Sequence, residues 1–159
     1  MSTVAVGKPL PDFTLPAFGN ESGSFRLHDA RGATLVLYFY PRDDTPGCTL
    51  EGQQFQQLLP RFRRAGARVC GISRDSLAAH GKFCGKFGFA FELLADPDEQ
   101  VCELFGVMKD KNMYGRKVRG IERSTFLADG QGVLRREWRK VRVEGHAAEV
   151  LAAAQALRG

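Results

Sequence analysis

The chain has 159 residues, 43% hydrophobic and 26% charged, a composition that suits one packed domain spanning residues 1–159 and excludes a disordered chain. Twenty-three basic against 18 acidic residues leave a formal charge of +5, too mild an excess to define a basic interaction surface. No basic stretch followed by an apolar run opens the sequence, and nothing approaches the ~20 apolar residues of a membrane span, so a cytoplasmic protein without membrane contact is expected.

In chain order, FTLPAF and SFRLHD alternate on either side of GNESG and predict a β-hairpin within residues 9–29. TLVLYFY (34–40) is continuously apolar, which predicts a strand buried on both faces and ended by Pro41. PRDD then delivers the chain to Thr45, a predicted N-cap whose hydroxyl would accept from an orphan amide, with Pro46 at the first helical position. The helix that follows buries Phe55, Leu58, Leu59 and Phe62 and closes at Gly66; Pro60 is expected to kink or interrupt it. ARVCGIS (67–73) reads as a second central strand, followed by a helix from about Ser73–Asp75 and a strand at FELLAD (91–96). Asp96, Pro97 and an acidic first turn open a helix with Val101, Leu104 and Phe105 inward. Residues 109–120, rich in Lys, Gly and Arg, read as a loop. RSTFLAD and GVLRREWRKV are two strands joined by DGQG, and HAAEVLAAAQALR is a strong helix. Alternation along RREWRKVR puts Arg136, Trp138, Lys140 and Arg142 on one solvated face, their stems covering the indole, so no nucleic-acid partner is expected.

This order predicts an α/β fold, a mixed central sheet flanked by helices on both faces. Such folds keep their chemistry where a strand passes to a helix N-terminus at the carboxyl edge of the sheet. Cys48 lies at such a junction, in the first turn after Thr45, where the helix dipole favours thiolate over thiol. The other cysteines, Cys70, Cys84 and Cys102, form no CxxC pair, and His28, His80 and His146 are scattered, which argues against zinc. Packing or redox chemistry remains. A peroxide-reducing thiol needs a thiolate, hydrogen-bond donors for the departing oxygen, and rescue of its sulfenic acid before over-oxidation. Gly47 and Cys48 offer first-turn amides, Thr45 adds a hydroxyl, and Pro41 can shield the sulfur. A packing cysteine is the alternative, but the coincidence of cap, proline, glycine and junction favours chemistry.

YFYPRDDTPGCTLEG resembles the peroxidatic-cysteine motif of the peroxiredoxins, P-x-x-x-[TS]-x-x-C, filled by Pro41, Thr45 and Cys48. TPGCTLE and NMYGRKVRGIERSTFLAD are similar to its bacterioferritin comigratory protein (PrxQ) branch. The resemblance implies a thioredoxin-like fold, Cys48 as the thiol that attacks hydrogen peroxide or an organic hydroperoxide, and Arg123 of IERSTF as the guanidinium beside it. An arginine stays charged at every working pH and grips two atoms in one plane, which lysine does not. Glu51 is also similar to the family, either orienting an arginine or serving the helix dipole. No metal, flavin or nucleotide is implied, and a monomer is.

Many members of that branch carry a resolving cysteine five positions after the first, where this chain has Gln53. Cys70, in an apolar strand, and Cys102, beside Val101 and Phe105, read as packing. Cys84 sits in HGKFCGKFG, where Gly81, Gly85 and Gly88 each weaken a helix by about 1 kcal/mol. Local unfolding there would supply the Cα approach, within roughly 7 Å, that a disulfide needs. Some related proteins carry the partner on this helix, so the resemblance agrees with a Cys48–Cys84 disulfide, reduced by thioredoxin or a similar dithiol. Cys84 packing with Leu77 and Phe87 is the alternative. Two other functions stay open: a redox sensor relaying oxidation to a partner, and a thioredoxin-fold binding module with a structural Cys48.

Overall fold

The computed structural model describes residues 3–158, and its strands alternate with helices for most of the chain. Strands β1 (Thr14–Phe18) and β2 (Ser24–Arg26) form the N-terminal hairpin, followed by β3 (Thr34–Phe39), helix α1 (Pro46–Arg64) and β4 (Ala67–Ser73). Helix α2 (Leu77–Phe87), β5 (Glu92–Ala95), α3 (Gln100–Leu104), β6 (Met108–Met113) and β7 (Arg116–Ile121) come next. The chain ends with β8 (Ser124–Ala128), β9 (Leu134–Trp138) and α4 (His146–Arg158). Seven strands build one sheet in the order β2-β1-β5-β4-β3-β8-β9, while β6 and β7 pair apart from it. β3, β4 and β5 run parallel, and the strands outside them antiparallel, so the sheet is mixed as the sequence predicts.

The two-residue side-chain period sorts the core into two clusters. Leu35, Leu37, Phe39, Cys70, Ile72, Leu94 and Phe126 face one side, against Phe13, Cys102 and Phe105. Val36, Tyr38, Tyr40, Val69, Leu93 and Leu127 face the other, against Phe55, Leu59 and Phe62 of α1, Phe83 and Cys84 of α2, and Val150 and Leu151 of α4. Each large apolar side chain buried this way contributes about 1.5–3 kcal/mol. No helix among the described residues is long and apolar enough to cross a membrane.

Four local expectations are corrected. α1 runs through Pro60 without interruption; the proline is exposed, and on the solvent face water can serve the carbonyl that lost its donor. α2 starts at Leu77 rather than at 73–75, because Ser76 accepts from the Ala79 amide at 3.1 Å while the Ser73 hydroxyl is spent on Asp75. Residues 109–120 are not a loop but belong to the β6–β7 hairpin, which turns at Tyr114 and Gly115 with φ of 53° and 79°, the pair of positive values a tight hairpin needs. Lastly, β9 stops at Trp138 and Lys140 turns left-handed at φ 50°, so Lys140 and Arg142 do not extend the face of Arg136, whose guanidinium lies 4.7 Å over the Trp138 ring.

Candidate active site

β3 delivers the chain at mid-sheet to a loop that ends on Thr45, the extended N-cap of α1. The Thr45 carbonyl accepts the first helical bond from Thr49 at 2.8 Å, so the amides of Gly47 and Cys48 precede the helical ladder and have no acceptor within it. The hydroxyl of Thr45 does not cap these amides. It donates to the Arg42 carbonyl at 2.9 Å and closes the turn that the left-handed Asp44 creates. Pro41, half-buried, opens that loop, and Cys48 sits in the first turn of α1 only 2% exposed.

Arg123 reaches the sulfur from the other end of the chain. β8 pairs with β3 so that Ser124 lies opposite Phe39, which puts Arg123 one residue beyond, level with Tyr40 at the approach to α1. Its carbonyl is held by the Val141 amide at 3.0 Å. Nη2 donates to Cys48 Sγ at 3.4 Å and Nη1 to Glu51 Oε1 at 2.6 Å, so one planar fork spans both groups. A Cβ on residue 47 would stand 3.2 Å from that Nη2, so the glycine leaves the guanidinium its seat. Arg42, nearer in sequence, is exposed.

Glu51 is 1% exposed. Burial pushes its carboxyl up to about 7, the attraction of Arg123 opposing this without overcoming it. Its second oxygen, Oε2, is buried with no hydrogen-bond partner among the described residues. For Arg123 burial acts downward, but Glu51 and Cys48 together hold the guanidinium above its usual value.

All four cysteines are buried free thiols. Cys84, on α2, shares with Cys48 the cluster on one face of the sheet, whereas Cys70 and Cys102 lie in the cluster on the other. Burial, then the charge of Asp43, pushes the Cys84 thiol up to about 11. Burial likewise raises Cys70 and Cys102. Leu77 is exposed, while Cys84 belongs to the buried cluster that includes Phe83 and Phe89, with Phe87 packed against it.

Sequence reasoning missed several neighbours. Tyr38 stacks on Phe55 at 4.5 Å, and burial followed by the charges of Glu51, Cys48, Cys84 and Asp43 raises its phenol well above the usual range. Its inward position was legible in the period of TLVLYFY; its company was not. Lys111, from the hairpin, donates to the Ile121 carbonyl at 2.7 Å and feels both Arg123 and Cys48, its ammonium lowered chiefly by burial. Among the described residues no cluster of three or more His, Cys, Asp or Glu is placed to hold a metal ion.

A mixed sheet flanked by helices, with a buried sulfur at a helix start, defines the thioredoxin-like class of thiol proteins. The AhpC/TSA family model matches residues 6–137. Peroxiredoxin Bcp of Xanthomonas campestris is 51% identical over 98% of each chain, and that of Bacillus subtilis 44% identical over 94% of each. The solved structure of the Xanthomonas campestris bacterioferritin comigratory protein, from work on its alkyl peroxide reduction activity, superposes with a TM-score of 0.89 at 48% identity, covering 98% of this chain and 100% of that one. The chain belongs to the AhpC/TSA family, in its Bcp/PrxQ branch of peroxiredoxins, which are thiol peroxidases.

Proposed function

We propose that this chain reduces hydrogen peroxide and organic hydroperoxides through Cys48, resolves the product with Cys84, and is recycled by thioredoxin or a similar dithiol. The observation that carries the reading is the single guanidinium of Arg123 donating to Cys48 Sγ at 3.4 Å while Glu51 anchors it at 2.6 Å, at the amide end of a helix. Arg123 and the dipole of α1 favour the thiolate. That thiolate attacks one peroxide oxygen; an S–O bond forms, the O–O bond breaks, and the departing oxygen leaves as water or alcohol once protonated. The Gly47 and Cys48 amides and the free edge of Arg123 donate to the oxygens as charge develops. Thr45 gives its own hydrogen to Arg42, so its oxygen is left to accept a hydrogen bond from the peroxide O–H. Pro41 keeps bulk water from the sulfur. Near pH 7 Glu51 is only partly ionised, so it holds Arg123 without cancelling its charge.

The Cys48 sulfenic acid then condenses with the Cys84 thiol: an S–S bond forms and the sulfenic oxygen leaves as water. A dithiol partner reduces that disulfide by exchange through a mixed disulfide. We place the protein in the cytoplasm as a monomer, the whole chain acting as one unit.

Peroxide consumption with thioredoxin, thioredoxin reductase and NADPH tests this. Cys48→Ser is expected to be inactive, and Cys84→Ser to keep its first turnover while recycling poorly. Peptide mapping after peroxide is expected to find Cys48 joined to Cys84. A wild type that stops after about one equivalent of peroxide per protein would instead be a sensor.

A further inference from the structure

Outside the reacting groups, a buried polar pair ties the loop that delivers Cys48 to the helix that carries Cys84. Asp43 of the loop accepts from the Tyr40 hydroxyl through Oδ1 at 2.6 Å and lies 2.7 Å from His80 Nδ1 through Oδ2. His80 stands one turn before Cys84 on α2, and its ring is fully buried. Its Nε2 is 2.9 Å from the Leu94 carbonyl. A carbonyl can only accept, so Nε2 carries a hydrogen. The short contact on the other side then holds a single proton between imidazole and carboxyl, and the pair is neutral as a whole in either arrangement. The loop has a second tie, from the Asp43 amide to Asp75 at 2.8 Å, and an outer one, Lys86 to Asp44 at 2.9 Å, both of whose side chains are well exposed.

The helix so anchored is weak in itself. It contains Gly81 and Gly85 and ends on the left-handed Gly88, with Cys84 and Phe83 on its buried side. A buried polar pair is the kind of contact that fixes one arrangement and is lost as a unit, because separating it strands both partners. We propose that Asp43 and His80 form the latch of α2, and that the strength of this pair sets how fast Cys84 is released to meet the oxidised Cys48. The inference rests on the reading of Cys84 as the resolving thiol. Asp43 and His80 are positioning residues here; neither touches the sulfur.

The test compares Asp43→Ala, Asp43→Asn, Tyr40→Phe and Lys86→Ala in the full chain. Amide hydrogen exchange of residues 77–88 is read in the reduced protein, and the rate of Cys48–Cys84 disulfide formation after one equivalent of hydrogen peroxide by quenched alkylation. Asp43→Ala is expected to raise both rates about tenfold, the order of change that loss of the His80–Asp43 hydrogen bond brings. Asp43→Asn should restore near wild-type values, since its amide can donate to a neutral His80 while its oxygen still accepts from Tyr40. Tyr40→Phe, a milder change in case Asp43→Ala fails to fold, should fall between. Lys86→Ala should match the wild type, as an exposed ion pair contributes little. Wild-type rates in both Asp43→Ala and Tyr40→Phe, or equal acceleration by Lys86→Ala, overturn the latch. Absence of the disulfide in the wild type overturns the assignment of Cys84 itself, and the latch with it.

Discussion

Two opposing influences act on a carboxyl buried beside a guanidinium, and at Glu51 burial prevails, holding the group near 7 instead of the usual 4.5. Its pKa is raised on folding, so the folded chain binds the extra proton between these values. The resulting stability is fully present below about pH 4.5 and is lost as the pH climbs to about 7. Glu51→Gln lacks this titration. In urea unfolding, the variant is expected to gain on the wild type from pH 4.5 to pH 8 by up to about 3 kcal/mol. Parallel stability curves for the two proteins would show that Glu51 titrates normally. Little of this was legible beforehand. TPGCTLE marks the helix start and its thiol because proline, threonine and glycine act locally, whereas the burial of Glu51 depends on Arg123, a residue 72 positions away.

At the scale of elements, α1 and the end of α2 meet through a missing side chain. A Cβ on Gly52 would stand 2.6 Å from the Phe89 ring, and the Phe89 amide donates to the Cys84 carbonyl at 3.2 Å, in the turn that ends α2. Gly52→Ala therefore has to displace Phe89. It is expected to cost about 1–3 kcal/mol, or roughly 3–10 °C in Tm by calorimetry, despite the better helix propensity of alanine. An unchanged or raised Tm would mean the ring moves freely. The central strands were legible at this scale, β4 to its very ends, because both faces of them are largely buried. The β6–β7 hairpin was not, since its many exposed lysines and arginines mask the two-residue period and its turn is set by Tyr114 and Gly115 in place of the usual Asn-Gly. The pairing of Asp43 with His80 was equally hidden: the loop residue and the helix residue stand 37 positions apart and meet only in the folded chain.

Across the whole molecule the sheet acts as a partition between thiols, with Cys48 and Cys84 on one face and Cys70 and Cys102 on the other. Cys70→Ala and Cys102→Ala are expected to leave peroxidase turnover and the yield of the Cys48–Cys84 disulfide within about twofold, while each costs about 1–2 kcal/mol of stability through the space vacated. Loss of the disulfide in either variant would mean that the sheet does not separate the thiols in solution. The alternation of strands and helices sufficed to predict the α/β class, and the period within the strands gives the two faces.

The register of β8 on β3 has one more consequence. A chain still emerging from the ribosome, complete only to residue 122, already carries the sulfur of Cys48 but lacks the guanidinium that donates to it in the finished fold. On the role proposed for Cys48, its full reactivity toward oxidant then waits until the segment from Arg123 onward has been made and docked beside β3.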